Sequence, residues 1–368
     1  MKLLFIFLLF SGITLAQQTI NGSIIHGGLT RTYILYVPAS YSAGTPVPLV
    51  FNFHGYTSNS NEQMLYADFR PIADTANFIL VHPMGTLDGS NQPYWNSGWG
   101  GSVDDIGFTS ALIDSLSADY SINPNRIYST GMSNGGFMSY TLACELSDRI
   151  AAIASVTGTM NVNQSATCSA QHPMPVMEIH GTADATVPYI GNAAMASIAT
   201  AMNYWVNFNN CTSTPTVTPV TNTSTTDGCT AEHSVWSNGD NGVEVEHYKI
   251  IGGGHTWPGA PIAIGVTNYD INASKLIWIF FSKYDLNGAI GPVGVNELAQ
   301  NKLSVHPNPS TDFIAIDGVE DLTAVELTSL NGQKINCSVE DQQIDIRSLD
   351  KGVYFISIDG TVVRFVKM

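Results

Sequence analysis

Basic residues are scarce: 14 Lys and Arg stand against 30 Asp and Glu in 368 residues, a formal charge of −16. So acidic a chain repels phosphate backbones and anionic lipid headgroups, which argues against nucleic acid and membrane surfaces as partners. Charge of either sign is thin at 12%, so surface polarity must come from Ser, Thr and Asn. No apolar run reaches the roughly 20 residues that a spanning helix requires, so no transmembrane segment is expected in the mature protein. Only five cysteines are present, with no CxxC pair and no HExxH stretch, so neither zinc nor another metal is expected.

What is there begins with export. Lys2, an apolar run from Leu3 to Phe10, and Thr14-Leu15-Ala16 before Gln17 form a signal peptide over residues 1–16. Outside the cell the cysteines are free to oxidise. Cys144 with Cys168 and Cys211 with Cys229 close the shortest loops and leave Cys337 alone, although four cysteines allow three connectivities. The length suits two domains, or one large domain with an appendage, and 44% hydrophobic residues suffice for a packed core.

Along residues 17–285, apolar β-rich runs alternate with helical stretches. Tyr33 to Val37, Leu49 to Phe53, Phe78 to His82, Arg126 to Ser129, Ile150 to Val156 and Val176 to His180 are too apolar to have one wet face. Strands of that kind are buried on both sides of a mainly parallel sheet. Helices are expected from Asp104 through Leu116, and over about Gly135–Glu145, Ala194–Phe208 and Ala273–Tyr284. The fold class is α/β. Residues 212–226 read as an extended surface loop tethered by the neighbouring cysteines, and 286–302 as a Gly- and Pro-containing linker. Short alternating strands over 303–368 predict a small all-β domain.

The strongest chemical signal is Gly131-Met132-Ser133-Asn134-Gly135, directly after a strand and directly before a helix. A nucleophile elbow needs small residues around the serine because the turn is sharp. A hydroxyl at its free pKa is a weak nucleophile, so it needs a base, and the base needs an orienting acid. On this fold both follow the serine in the order acid, then His, on loops after later strands. Asp184 lies on the turn after Val176 to His180, and His255 in the Gly-rich loop Gly252 to Gly259 after Glu244 to Ile250. Asp184 also fits an ordinary turn, and His255 has eight rivals, among which His54 and His180 each end a strand before a glycine. Two oxyanion donors are expected, the N–H of Asn134 and the N–H of Tyr56 in His54-Gly55-Tyr56-Thr57. Trp95, Trp99 and Trp257 sit in polar loops and are candidate substrate contacts, with core roofing as the competing reading. Asp105 reads equally as a cleft residue and as part of a helix N-cap.

Five strings of the larger domain, taken in order, resemble one esterase family. They are Phe53-His54-Gly55, Asp104-Asp105-Ile106-Gly107-Phe108, Gly131 to Gly136, His180-Gly181-Thr182-Ala183-Asp184 with Val187-Pro188-Tyr189, and Gly252 to Gly259. The family includes polyhydroxybutyrate depolymerases, feruloyl esterases and related carbohydrate esterases. The resemblance implies an α/β-hydrolase fold without metal or organic cofactor, with Ser133, Asp184 and His255 as nucleophile, acid and base. Polymer depolymerases of the family often carry cysteine where this chain has Tyr56. Residues 303–368 resemble the C-terminal sorting domain of the type IX secretion system of Bacteroidetes, through Val305 to Ser310, Leu330 to Gln333, Leu349 to Tyr354 and terminal Lys367. That resemblance implies the secretion machinery as a partner and a secreted or surface location. The expected function is hydrolysis of feruloyl or acetyl esters on plant polysaccharide. A polyester depolymerase, a serine peptidase and a non-catalytic surface binding module stand as alternatives.

Overall fold

The computed structural model describes residues 17–291 and then 304–317, 325–329, 334–335, 337–340, 343–358 and 361–368. The expected signal peptide and residues 292–302 of the expected linker lie outside these. The chain divides into two compact units, 1–291 and 292–368.

In chain order the larger unit comprises β1 (Gln18–His26), β2 (Leu29–Val37), β3 (Val47–Phe53), α1 (Ser60–Tyr66), α2 (Arg70–Ala76), β4 (Ile79–Pro83), the short pair β5 (Thr86–Leu87) and β6 (Pro93–Tyr94), and α3 (Asp105–Asp119). It continues with β7 (Ile122–Met132), α4 (Asn134–Glu145), β8 (Ala152–Val156), α5 (Gln164–Thr167), β9 (Val176–Gly181), α6 (Ile198–Phe208), β10 (Thr216–Pro219), β11 (Thr230–Trp236), β12 (Val245–Ile251) and α7 (Ala273–Phe281). The ten strands of the main sheet run in the order β1-β2-β4-β3-β7-β8-β9-β12-β11-β10. From β4 to β12 neighbours are parallel, and the two strands at each edge are antiparallel. Every residue of β3, β4, β8 and β9 is buried, as a sheet covered on both faces demands. One apolar layer, including Phe51, Leu112, Ile153 and Trp205, packs on one side, and a second, including Tyr128, Ile179, Ile277 and Phe281, on the other.

Residues 212–226 differ from the expected loop. Thr216–Pro219 pairs with Glu232–Val235 as an exposed edge strand, and Asp270 Oδ1 accepts from the N–H groups of Thr223 and Ser224 at 2.7 and 2.8 Å. The segment is tied by that carboxylate and not by cysteine. Cys144 and Cys168 do form a disulfide, but Cys211 and Cys229 are free thiols. The expected second bridge fails on geometry, because the two residues stand at opposite ends of β11. Thr212 bonds to Ser237, just past the end of β11, whereas Cys229 immediately precedes its start. The intervening strand separates them by about 25 Å, against a Cα limit of about 7 Å for a bridge. Within the span read as linker, Gly288–Ala289 pairs back onto Tyr284–Asp285.

Among its described residues the smaller unit contains two four-stranded sheets. Val305, Ile314 and Ile344 from one sheet, and Leu327, Ile356 and Phe365 from the other, form one apolar core.

Candidate active site

The carboxyl ends of β3, β7, β9 and β12 meet on one edge of the sheet, where ligands bind in open α/β folds. Ser133 follows β7 with φ 55° and ψ −119°, a left-handed conformation that is rare outside glycine. Such a backbone costs about 1–3 kcal/mol and persists only where its surroundings enforce it. Here the enforcement is close packing. A Cβ on Gly135 would collide with the Phe53 carbonyl, and one on Gly131 would lie 2.6 Å from both Phe53 O and the Gly135 carbonyl carbon. The Ser133 N–H donates to Val156 O at 2.8 Å, and Phe137 N–H to Ser133 O at 3.0 Å. The serine therefore caps α4, and the N–H groups of its first turn have no carbonyl partner within the helix.

Asp184 sits on the turn after β9 with its side chain buried. Oδ1 accepts from Thr186 N and Val187 N, both at 2.8 Å, and Oδ2 contacts His255 Nδ1 at 2.7 Å. Burial alone would raise the Asp184 pKa, but the His255 contact, the Val187 N–H and His180 outweigh it and hold the carboxyl below its ordinary value. The carboxylate is thus ionised and aimed. His255 arrives on the loop after β12, and Thr182 N–H to Ile250 O and Ala183 N–H to Gly253 O stitch that loop to the end of β9. Trp257 N–H then donates to Tyr66 Oη at 3.3 Å, and its ring packs edge-on to Phe69. Asn52 of β3 donates to Ala67 O in that same segment, so the loop after β12 is tied on the β3 side of the sheet as well. No hydrogen bond joins Ser133 Oγ to His255 in this structure. In acyl-transfer sites that contact commonly tightens only with substrate bound.

The loop after β3 lies against the elbow, since a Cβ on Gly55 would stand 3.5 Å from Ser133 Cβ. His54, fully buried, governs its shape. Nε2 accepts from Gly85 N–H at 2.9 Å, so the proton resides on Nδ1, which donates to Gly55 O at 2.7 Å. Burial pushes the His54 pKa down to about 4, so it stays neutral. A trans peptide points its N–H opposite its C=O, so with Gly55 O held by His54 the Tyr56 N–H faces away from that ring. The Tyr56 N–H has no partner among the described residues, whereas Thr57 N–H is taken by Pro93 O. The Tyr56 side chain is exposed on the rim and donates to Asp88 at 2.7 Å.

Two expected substrate contacts are corrected. Trp95 is 0% and Trp257 1% exposed. Trp95 donates Nε1–H to His54 O at 3.0 Å, and its backbone is clasped by the Asn134 side chain through Trp95 N–H to Oδ1 at 2.6 Å and Nδ2 to Trp95 O at 3.1 Å. It braces the His54 loop against the elbow. Trp257 donates Nε1–H to Ser274 Oγ at 3.1 Å and fixes the His255 loop to α7. Large apolar rings in Gly-rich loops were better buried than left wet. Trp99 is the exposed one, at 42%.

Four further polar residues support the site. Asp104 is the N-cap of α3, while Asp105 is buried, pairs with Arg31 at 2.5 Å and accepts Asn96 N–H at 2.7 Å, so it holds the 95–97 loop. Glu178 and His180, both fully buried, form a second pair at 2.9 Å behind Asp184. His180 Nε2 donates to Val187 O at 2.9 Å and lies 3.5 Å from Asp184 Oδ2. Burial opposes a charge on His180, but with acceptors at both ring nitrogens, Glu178 foremost, its pKa is raised. The signal available for His54 and His180 was their place at the end of a buried apolar run, each directly before a glycine.

Residues 101–220, which include Ser133 and Asp184, match the Phospholipase/Carboxylesterase family model. A bifunctional acetylxylan esterase/xylanase of Neocallimastix patriciarum is 26% identical over 75% of this chain and 37% of its own length. A probable feruloyl esterase C of Aspergillus flavus is 29% identical over 52% of this chain and 68% of its own. The solved acetyl xylan esterase of Aspergillus awamori superposes with a TM-score of 0.51 at 14% identity, covering 72% of this chain and 98% of that one, which establishes the fold. The larger unit has the α/β-hydrolase fold, and the relatives it resembles are named esterases. Residues 304–367 match the Secretion system C-terminal sorting domain, so the chain is directed to the cell exterior or surface.

Proposed function

We propose that this esterase hydrolyses feruloyl or acetyl esters carried on plant polysaccharide, through an acyl-enzyme on Ser133. The observation that carries the reading is the 2.7 Å Asp184–His255 contact, together with the strained backbone of Ser133. With Nδ1–H given to Asp184, His255 Nε2 has its lone pair free to take the Ser133 proton. Oγ then bonds to the ester carbonyl carbon, and the carbonyl oxygen, now negative, receives the N–H groups of Asn134 and Tyr56. Collapse expels the alcohol, which leaves with the proton held on His255. Water repeats the sequence on the acyl-enzyme, giving its proton to His255 and releasing the carboxylic acid and Ser133. No metal or organic cofactor enters any step. The sorting domain supports a passage through the type IX secretion machinery before the enzyme meets its substrate.

Polyester is the second reading, and one observation favours it: the loop beyond His255 exposes Ile262 at 68% and Ile264 at 57%, apolar groups suited to a polymer surface. Replacing Ser133 by alanine should abolish release of p-nitrophenol from p-nitrophenyl acetate while the unfolding midpoint is preserved; sustained turnover contradicts the mechanism. Methyl ferulate, acetylated xylan and polyhydroxybutyrate film, compared on the wild type, separate the two substrate readings.

A further inference from the structure

The groove beside Trp99 is the feature that the catalytic centre does not use. It has a volume of about 680 Å³ and is lined by Asn96, Trp99, Glu145, Asn161, Asn163 and Gln164, among others. We infer that this groove is a subsite for a neutral sugar chain, holding the alcohol side of the ester while Ser133 attacks its acyl group. The inference rests on the ester-hydrolase reading for its purpose, but binding there can be measured without any hydrolysis.

Position comes first. Ser97 accepts from Asn134 Nδ2 through Oγ at 3.1 Å and from Asn161 Nδ2 through its carbonyl at 2.7 Å. The residue after the nucleophile and the wall of the groove therefore share one support. Trp99 packs edge-on to Phe137, one turn into α4, with ring centroids 5.3 Å apart, which leaves it 42% exposed. A flat, partly exposed indole beside side-chain amides suits a pyranose ring, which offers an apolar C–H face and hydroxyls around its edge.

The polar lining specifies the charge of the ligand. Amides both donate and accept, as hydroxyls do, and Glu145 accepts only. Among the described residues none of the lining side chains is basic, so the groove has nothing to pair with a phosphate or a uronate.

The wall is also braced. Cys144 and Cys168 are the neighbours of the lining residues Glu145 and Thr167, so the disulfide ties the end of α4 to the segment carrying Asn161, Asn163 and Gln164. A fixed wall spares a ligand the cost of ordering it.

The test is calorimetric titration of the full chain with xylohexaose, which carries no ester. Wild type should bind it, Trp99→Ala should weaken binding about tenfold, in line with the loss of one stacking contact, and Trp99→Phe should recover most of it. Asn163→Ala, at an exposed position, should weaken binding without touching the fold. Hexagalacturonate should bind more weakly than xylohexaose. In kinetics, the ratio of kcat/KM on acetylated xylan to that on p-nitrophenyl acetate should fall in Trp99→Ala. No binding of xylohexaose to the wild type, unchanged binding in both alanine variants, or preference for the uronate overturns the subsite. Persistent ester turnover in Ser133→Ala would overturn the catalytic reading instead and leave a confirmed xylohexaose site standing.

Discussion

Asparagine at position 184 is a sharp probe because the structure dictates which way its amide would face. Oδ1 of Asp184 receives two backbone N–H groups, from Thr186 and Val187, each at 2.8 Å, so that position must remain an oxygen. The new NH₂ then occupies the place of Oδ2, 2.7 Å from His255 Nδ1, where a hydrogen now stands. Two donors cannot share that contact. His255 is driven to the tautomer with its hydrogen on Nε2, which can no longer take the Ser133 proton. Flipping the amide would rescue the tautomer but would unpair both N–H groups, costing about 1–3 kcal/mol for each. Asp184→Asn should therefore lower kcat on p-nitrophenyl acetate by about two to four orders of magnitude, or about 3–5.5 kcal/mol of transition-state stabilisation. KM should move little, and circular dichroism and the melting temperature serve as controls on the fold. A variant within tenfold of the wild-type kcat would refute the assignment of Asp184 as the orienting acid.

Two further outcomes concern stability. The Cys144–Cys168 bridge joins positions 24 residues apart, so its removal by paired alanines should cost about 3.5 kcal/mol in the chain-entropy account, read as a lower urea midpoint; an unchanged midpoint contradicts it. Burial depresses the pKa of His82 to about 3, and also lowers those of His247 and His54. The unfolded chain takes up these protons below about pH 6.5 and the folded chain does not, so the stability is intact above that pH and drains away as the medium acidifies toward about pH 3. Each such histidine contributes about 1.4 kcal/mol per pH unit in that window. His82→Leu should therefore shrink the loss of unfolding free energy between pH 7 and pH 5 by about 2 kcal/mol, and an identical loss in variant and wild type would sink the argument.

The parallel heart of the sheet was legible because strands such as Leu49–Phe53 and Val176–His180 are apolar on both faces, and nothing but a doubly covered sheet buries them. The outermost antiparallel strands were not. β1 alternates half-buried and exposed residues, and β10 is exposed throughout, so neither carries a strong apolar signature. α6 begins at Ile198, capped by Ser197, later than its apolar pattern suggests, because Asn192 ties the preceding residues into a turn. At the site, Ser133, Asp184 and His255 were singled out by their places after strands. The burial of Trp95 and Trp257 was hidden, since loop residues that roof a core have no periodicity to betray them. Cysteine pairing was half legible. Loop length favoured both bridges equally, and only the extent of β11 separates Cys211 from Cys229.

The central claim is a covalent acyl-enzyme on Ser133, and the most direct measurement is mass spectrometry of the full chain after reaction with a p-nitrophenyl alkylphosphonate, a stable mimic of the acylation step. The account predicts a single adduct on the peptide containing Ser133, formed far more slowly in His255→Ala. An adduct on another residue, or labelling of Ser133 at the same rate without His255, would contradict it.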